Sequence, residues 1–148
     1  MANTARIDTT QTTIRTGSAF SDTALLIGRI ALVAIFLTSG FSKLTGLEGT
    51  AGYIGSKGLP APMVLAVLAG LGEVVLGLMI AVGFKTRLAA LGLVVFTIAA
   101  TVFFHNFWDM QGAARAANLI QAFKNLSIVG ALLMLAAAGA GPYAPSRR

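Results

Sequence analysis

Cysteine is absent from the 148 residues. The chain therefore forms no disulfide, runs no thiol–disulfide exchange and offers no cysteine ligand to a metal. Histidine occurs once, as His105, so no metal site built by this protein alone is expected. Charge is scarce as well: Asp, Glu, Lys and Arg make up 11% of the chain against 56% hydrophobic residues. Domains that face water on all sides carry about a quarter charged residues. A chain this short keeps a large surface for its volume, so its apolar residues cannot all be hidden in a core. Lipid is the solvent that such a composition demands. The shortage is sharpest for acidic groups, five against eleven basic ones, leaving a net charge of +6. The basic residues are scattered over termini and loops, with no basic helix and no patch interleaved with aromatics. Nucleic acid is excluded as a partner on that ground.

What the sequence does have is long apolar runs, at residues 23–44, 63–84, 87–104 and 121–139. Each is near the roughly 20 residues that carry a helix across hydrocarbon. None alternates at period two, as barrel strands would, and helices satisfy their own backbone polar groups, which lipid requires. The expected fold is all-α: an integral membrane four-helix antiparallel bundle with short interfacial helices in the outer loops. Residues 1–21, rich in Thr and Ser, have no apolar run before a small-residue cleavage site. They read as a disordered N-terminal tail and not a signal peptide. Residues 22–141 form the four-span domain and 142–148 a C-terminal tail.

The connections add detail. Residues 45–62 hold Gly46, Gly49, Gly52, Gly55, Gly58, Pro60 and Pro62 around Tyr53 and Ile54. This predicts a short interfacial helix, then a turn that starts the second span. Lys85 and Thr86 predict a tight hairpin. Phe107, Trp108 and the polar stretch through Ala117 predict a surface helix, with Trp108 as its anchor at headgroup level. Arg6, Arg15, Lys85, Arg87, Arg147 and Arg148 fall on one side of the membrane. Lys57 and Arg115 fall on the other, with Lys43 and Lys124 near span ends. The excess of positive charge predicts a multi-pass protein with both termini in the cytoplasm.

Ionisable residues inside apolar segments cost roughly 2.5–3.5 kcal/mol each and turn toward protein or water. Arg29 in the first span and Glu73 in the second stand out. Ala66, Ala69, Gly70, Gly77 and Ala81 share the Glu73 face, while Val64, Leu68, Leu71, Val75, Leu78 and Val82 lie opposite. Small residues allow close helix approach and bulky aliphatics suit lipid, so Glu73 points inward. Arg29 shares a face with Leu25, Val33, Phe36, Gly40 and Lys43. The simplest expectation is an intramembrane ion pair between Arg29 and Glu73, with Lys43 and Lys124 as alternative partners. Such a pair serves either a function or only helix register. On the last span Asn118, Gln121 and Asn125 form a polar face flanked by Lys124; it is either the mouth of a pocket or a helix end where Lys124 snorkels. His105 follows Thr97 and Thr101 on one face of the third span. It is more often an interfacial hydrogen-bonder than a proton relay, although its chemistry suits a bound ligand. The candidate pocket comprises Phe36, Gly40, Lys43, His105, Lys124 and Asn125.

These residues, in order, resemble the DoxX family of small bacterial inner-membrane proteins. The series is Arg29; Gly40-Phe-Ser-Lys43; Gly58-Leu-Pro-Ala-Pro62; Glu73 then Gly77; Gly83 before Thr86-Arg87; Phe-Phe-His105-Asn-Phe-Trp108; and Lys124-Asn125-Leu126. The similarity spans about residues 25–139 and rests on the order and spacing of the motifs together. The resemblance implies a four-helix protein of the bacterial inner membrane. The family takes its name from a subunit of a thiosulfate:quinone oxidoreductase, and some relatives are linked to membrane redox complexes. Relatives often carry His where Ser39 stands here, a departure that argues against proton handling at that position.

Three functions follow as expectations. The first is a redox-associated subunit whose bundle holds a quinone in an apolar slot with a few polar groups. Arg29, Lys43, His105, Lys124 and Asn125 would supply donors, and Phe36, Phe41, Phe103 and Phe104 the walls. No residue of this chain carries electrons, so a bound cofactor or a partner protein would do so, and no catalytic residue is assigned. The second is a non-enzymatic accessory or assembly subunit, partnered by other membrane or redox subunits or by copies of itself. The third is a small transporter or proton path through Arg29 and Glu73.

Overall fold

The computed structural model describes residues 19–145. They form α1 (Ala19–Thr45), α2 (Leu47–Ser56), α3 (Pro62–Val82), α4 (Thr86–Phe104), a single 3₁₀ turn (Phe107–Asp109) and α5 (Gly112–Ala138). The expected disorder of the N-terminal tail lies mostly outside these residues, and α1 already begins at Ala19, within the tail's last residues. Helices α1, α3, α4 and α5 are long and apolar enough to cross a membrane. They run antiparallel in succession, so both termini and the α3–α4 hairpin share one end, here called the terminal end. The α2 helix and the 3₁₀ turn mark the other end.

Local chemistry accounts for the breaks. Asp22 sits in the first turn of α1 and Lys43 in its last, each complementing the helix dipole. Pro62 opens α3, where its missing N–H costs nothing. Gly83 closes α3 in the left-handed conformation (φ 81°). There the Gly83 N–H donates to the Ile80 carbonyl at 3.1 Å and Phe84 N–H to Met79 at 2.8 Å, the paired bonds of a Schellman cap. Lys85 is also left-handed, and α4 starts at Thr86, so the tight hairpin is residues 83–85.

The outer loop between α4 and α5 departs from expectation. No surface helix forms there. Phe107 and Trp108 belong to one 3₁₀ turn, and the polar stretch from Gly112 is the beginning of α5. At a rise of 1.5 Å per residue, its 27 residues extend about 40 Å, longer than the roughly 30 Å hydrocarbon core. The polar first turns stand clear of that core while remaining helical.

Packing joins two close pairs, α1 with α3 and α4 with α5, through contacts between α3 and α4; α1 and α5 touch only sparsely. Helices α1 and α3 approach closely at Gly40 and Gly70. A Cβ on Gly40 would lie 2.8 Å from the Gly70 carbonyl oxygen and 2.9 Å from Glu73 Cβ, so these positions must be bare. The core cluster includes Val33, Ile80, Leu93 and Leu132, which fill the half of the bundle nearer the termini, and reaches as far as Phe36 at mid-bundle. Outside it, Leu68, Leu71, Val75, Leu78 and Val82 of α3 are exposed, as are Leu88, Val95 and Ile98 of α4. That outer surface suits acyl chains.

Candidate functional site

The half of the bundle nearer α2 is hollow. A cavity of about 520 Å³ lies between α1, α3, α4 and α5, with α2 over it. Phe36, Tyr53, Ile54, Phe96, Phe103 and Phe104 supply apolar wall. Two polar poles interrupt it.

The first pole joins α1 to α3. Glu73 is buried, and its Oε2 lies 2.8 Å from Lys43 Nζ. The Ser39 hydroxyl donates to Glu73 Oε1 at 3.2 Å, and Lys43 donates to the Ser39 oxygen as well. Ser39 and Lys43 are one helical turn apart, so both meet the same carboxylate once Gly40 lets α1 settle against α3. Charge balance is local: an ammonium and a hydroxyl answer a carboxylate that lipid could not solvate.

The second pole joins α4 to α5. His105 Nδ1 is 3.2 Å from Asn118 Oδ1. The Asn118 amide nitrogen donates to the Ala114 carbonyl at 3.0 Å, so its oxygen accepts and His105 Nδ1 carries the proton. In the neutral ring Nε2 is then a hydrogen-bond acceptor. Asn125 Nδ2 donates to the Thr101 hydroxyl at 2.9 Å, and that hydroxyl donates to the Thr97 carbonyl at 2.7 Å. Asn125 borders the cavity alongside His105, and beyond that bond it keeps one amide N–H to donate and its carboxamide oxygen to accept.

The pairing expected between Arg29 and Glu73 does not form. Arg29 lies eleven residues before Gly40 on α1, about 16 Å along the axis by helical rise, and Glu73 sits at the level of Gly40. Arg29 is nonetheless buried. Its guanidinium donates to the Ala140 carbonyl and to the Tyr143 carbonyl at 2.9 Å. It thereby holds residues 139–145, the end of the expected four-span domain and the start of the expected C-terminal tail, folded back over the terminal end. Gly83 lies beneath that strap: a Cβ there would come within 2.5 Å of Ala144 Cβ.

Of the other candidates, Phe36, Lys43, His105 and Asn125 line the cavity. Gly40 instead packs against α3. Lys124 is exposed, donates to Gln121 Oε1 at 2.9 Å on its own helix and is not among the residues that line the cavity. Phe41 faces outward. Trp108 is half exposed, edge-on to Phe107 with centroids 5.2 Å apart, which suits a headgroup anchor.

Sequence reasoning passes over two elements of the site. Ser39 enters it only as a departure from relatives, although its i, i+4 spacing to Lys43 is an available signal. The other is the cover. Tyr53 of α2 stacks against Phe104 at 5.3 Å, and Lys57 Nζ lies 3.4 Å from Asn106 Oδ1. Contacts between residues so distant in the chain leave no local trace.

Comparison with known proteins agrees with this architecture. The DoxX family profile matches residues 24–106. Inner membrane protein YphA of Escherichia coli is 44% identical over 124 residues, covering 84% of this chain and 89% of that protein. Inner membrane protein YqjF of the same organism is 36% identical over 127 residues, covering 85% and 92%. No solved structure matches the chain.

Proposed function

The chain belongs to the DoxX family, and on that footing we propose that it is an inner-membrane subunit that binds a quinone headgroup in the cavity beneath α2. A partner membrane or redox protein carries the electrons, since this chain has no redox group of its own. One observation carries the reading: two polar poles, Ser39–Lys43–Glu73 and His105–Asn125, face one aromatic-walled space. Lys43 offers an ammonium donor, while His105 Nε2 and the Asn125 oxygen offer acceptors. A quinone and its quinol present two oxygens across a flat ring, one able to accept from Lys43 and the other, when reduced, able to donate to His105. The volume of about 520 Å³ lies in the usual range of small-ligand sites, on the order of 300–1,000 Å³.

Conduction through the bundle is less well supported. Below the cavity, Val33, Ile80, Leu93 and Leu132 are fully buried, and the Arg29-held strap lies over the end beyond them. The same features favour a blind pocket. In this reading both termini are cytoplasmic, in keeping with the charge bias and with Lys85 and Arg87 at the terminal end.

The test is direct. The protein is reconstituted in nanodiscs and titrated with a short-tailed benzoquinone, following thermal stability and bound ligand. Saturable binding that Lys43→Met weakens about tenfold, roughly 1.4 kcal/mol, is the expected result. No binding and no stabilisation would remove the quinone reading and leave the accessory role.

A further inference from the structure

Accepting the headgroup site proposed above, we infer that the ligand enters sideways from the bilayer, between the halves of α1 and α5 nearer α2, and leaves a single hydrocarbon tail in that gap. Three observations point there. First, α1 and α5 touch only sparsely. The core they share holds Val33 and Phe36 of α1 and Leu132 and Leu135 of α5, and it ends where the cavity begins, at Phe36. Toward α2, the walls they present to the cavity are Ser39 and Lys43 on one side and Asn125 and Ile128 on the other.

Second, Ile35 lines the cavity yet is 46% exposed. A side chain that borders both the cavity and the lipid-facing surface marks a rim. With Ile128 opposite, that rim is apolar, whereas the floor behind it carries the Lys43–Glu73 pair. An amphiphile passing such a rim is oriented head inward, because its tail loses nothing by staying beside hydrocarbon and its oxygens gain partners only within.

Third, the axial route is covered. Ile54 of α2 is buried over the cavity, Tyr53 stacks on Phe104, and Lys57 reaches Asn106 across the top. The competing mouth lies beside this cover, where Tyr53 and Phe103 also line the cavity and are themselves half exposed.

Tail length separates the routes. The probes are a tailless dimethoxy-methyl-benzoquinone and its decyl-tailed homologue, each titrated into nanodiscs holding the full chain. With Ile35→Trp, affinity for the tailed compound is expected to fall about tenfold more than affinity for the tailless one. Phe103→Trp should affect both compounds alike. Loss of tail discrimination in Ile35→Trp, or its appearance in Phe103→Trp instead, overturns the route. A second measurement needs no variant: a decyl homologue with a diazirine at the tail end is photolysed on the unaltered chain. Labelling of α1 and α5 peptides around Ile35 and Ile128 supports the gap, and labelling around Tyr53 and Phe103 overturns it. If neither quinone binds the unaltered protein, the headgroup site fails and takes the route with it; if both bind and only the tail results disagree, the route alone fails.

Discussion

Lys43 and Glu73 illustrate how little freedom a charge has inside a membrane. Either group alone is costly at that depth, and each is tolerated because the other is 2.8 Å away. Glu73→Leu strands the ammonium and should lower unfolding stability in detergent by about 2–3 kcal/mol. The double variant Lys43→Met/Glu73→Leu should recover most of that loss, giving a strongly non-additive cycle. Additive losses would mean that the two side chains are not coupled. Arg29 behaves differently, because its partners are the carbonyls of Ala140 and Tyr143. Arg29→Ala should release residues 139–145 to protease and raise their hydrogen exchange, at a cost of about 3 kcal/mol for the lost charged hydrogen bonds. Quinone affinity should stay unchanged, since Arg29 sits at the far end from the cavity. Altered affinity without exposure of the C-terminal segment would contradict this assignment.

At the scale of elements, the register of α1 on α3 is decided by bare backbone. Any side chain at Gly40 meets the Gly70 carbonyl and Glu73 Cβ. Gly40→Ala should therefore destabilise by about 1–3 kcal/mol and disturb the Lys43–Glu73 bond, because prying the helices apart lengthens it. At Gly28, on the same helix, an added Cβ would meet nothing within 4 Å. Gly28→Ala should stabilise the helix by up to about 1 kcal/mol. Parallel unfolding curves of the two variants test the contrast; equal effects would refute it. The helices themselves are legible in the sequence, since length and hydropathy alone mark four crossings. Where α5 begins is not. Hydropathy reports where lipid ends, and Arg115, Asn118 and Gln121 mark that boundary while the backbone hydrogen bonding runs on through it.

For the whole molecule, the division into a packed half and a hollow half separates the roles of its side chains. Buried aliphatics close the terminal half, and the strap held by Arg29 covers its end. Aromatics and two polar poles surround the cavity in the other half. The charge bias predicts that a fluorescent-protein fusion at the C-terminus glows in intact cells while an alkaline phosphatase fusion there stays inactive. The opposite pattern would invert the bundle and place the α2 cover in the cytoplasm.

By itself, the order of residues determined the solvent, the number of crossings, the inward face of α3 and the kinship with DoxX proteins. All of these follow from periodicity, hydropathy and motif order, which are properties of short stretches of chain. The tertiary structure alone decided that Lys43 and not Arg29 answers Glu73, that Lys124 stays outside the cavity, and that α2 covers it. Each depends on how far one helix has slid along another. That distance is set by the fit of Gly40 into Gly70 and by the return of the C-terminal segment onto Arg29, contacts between residues tens of positions apart.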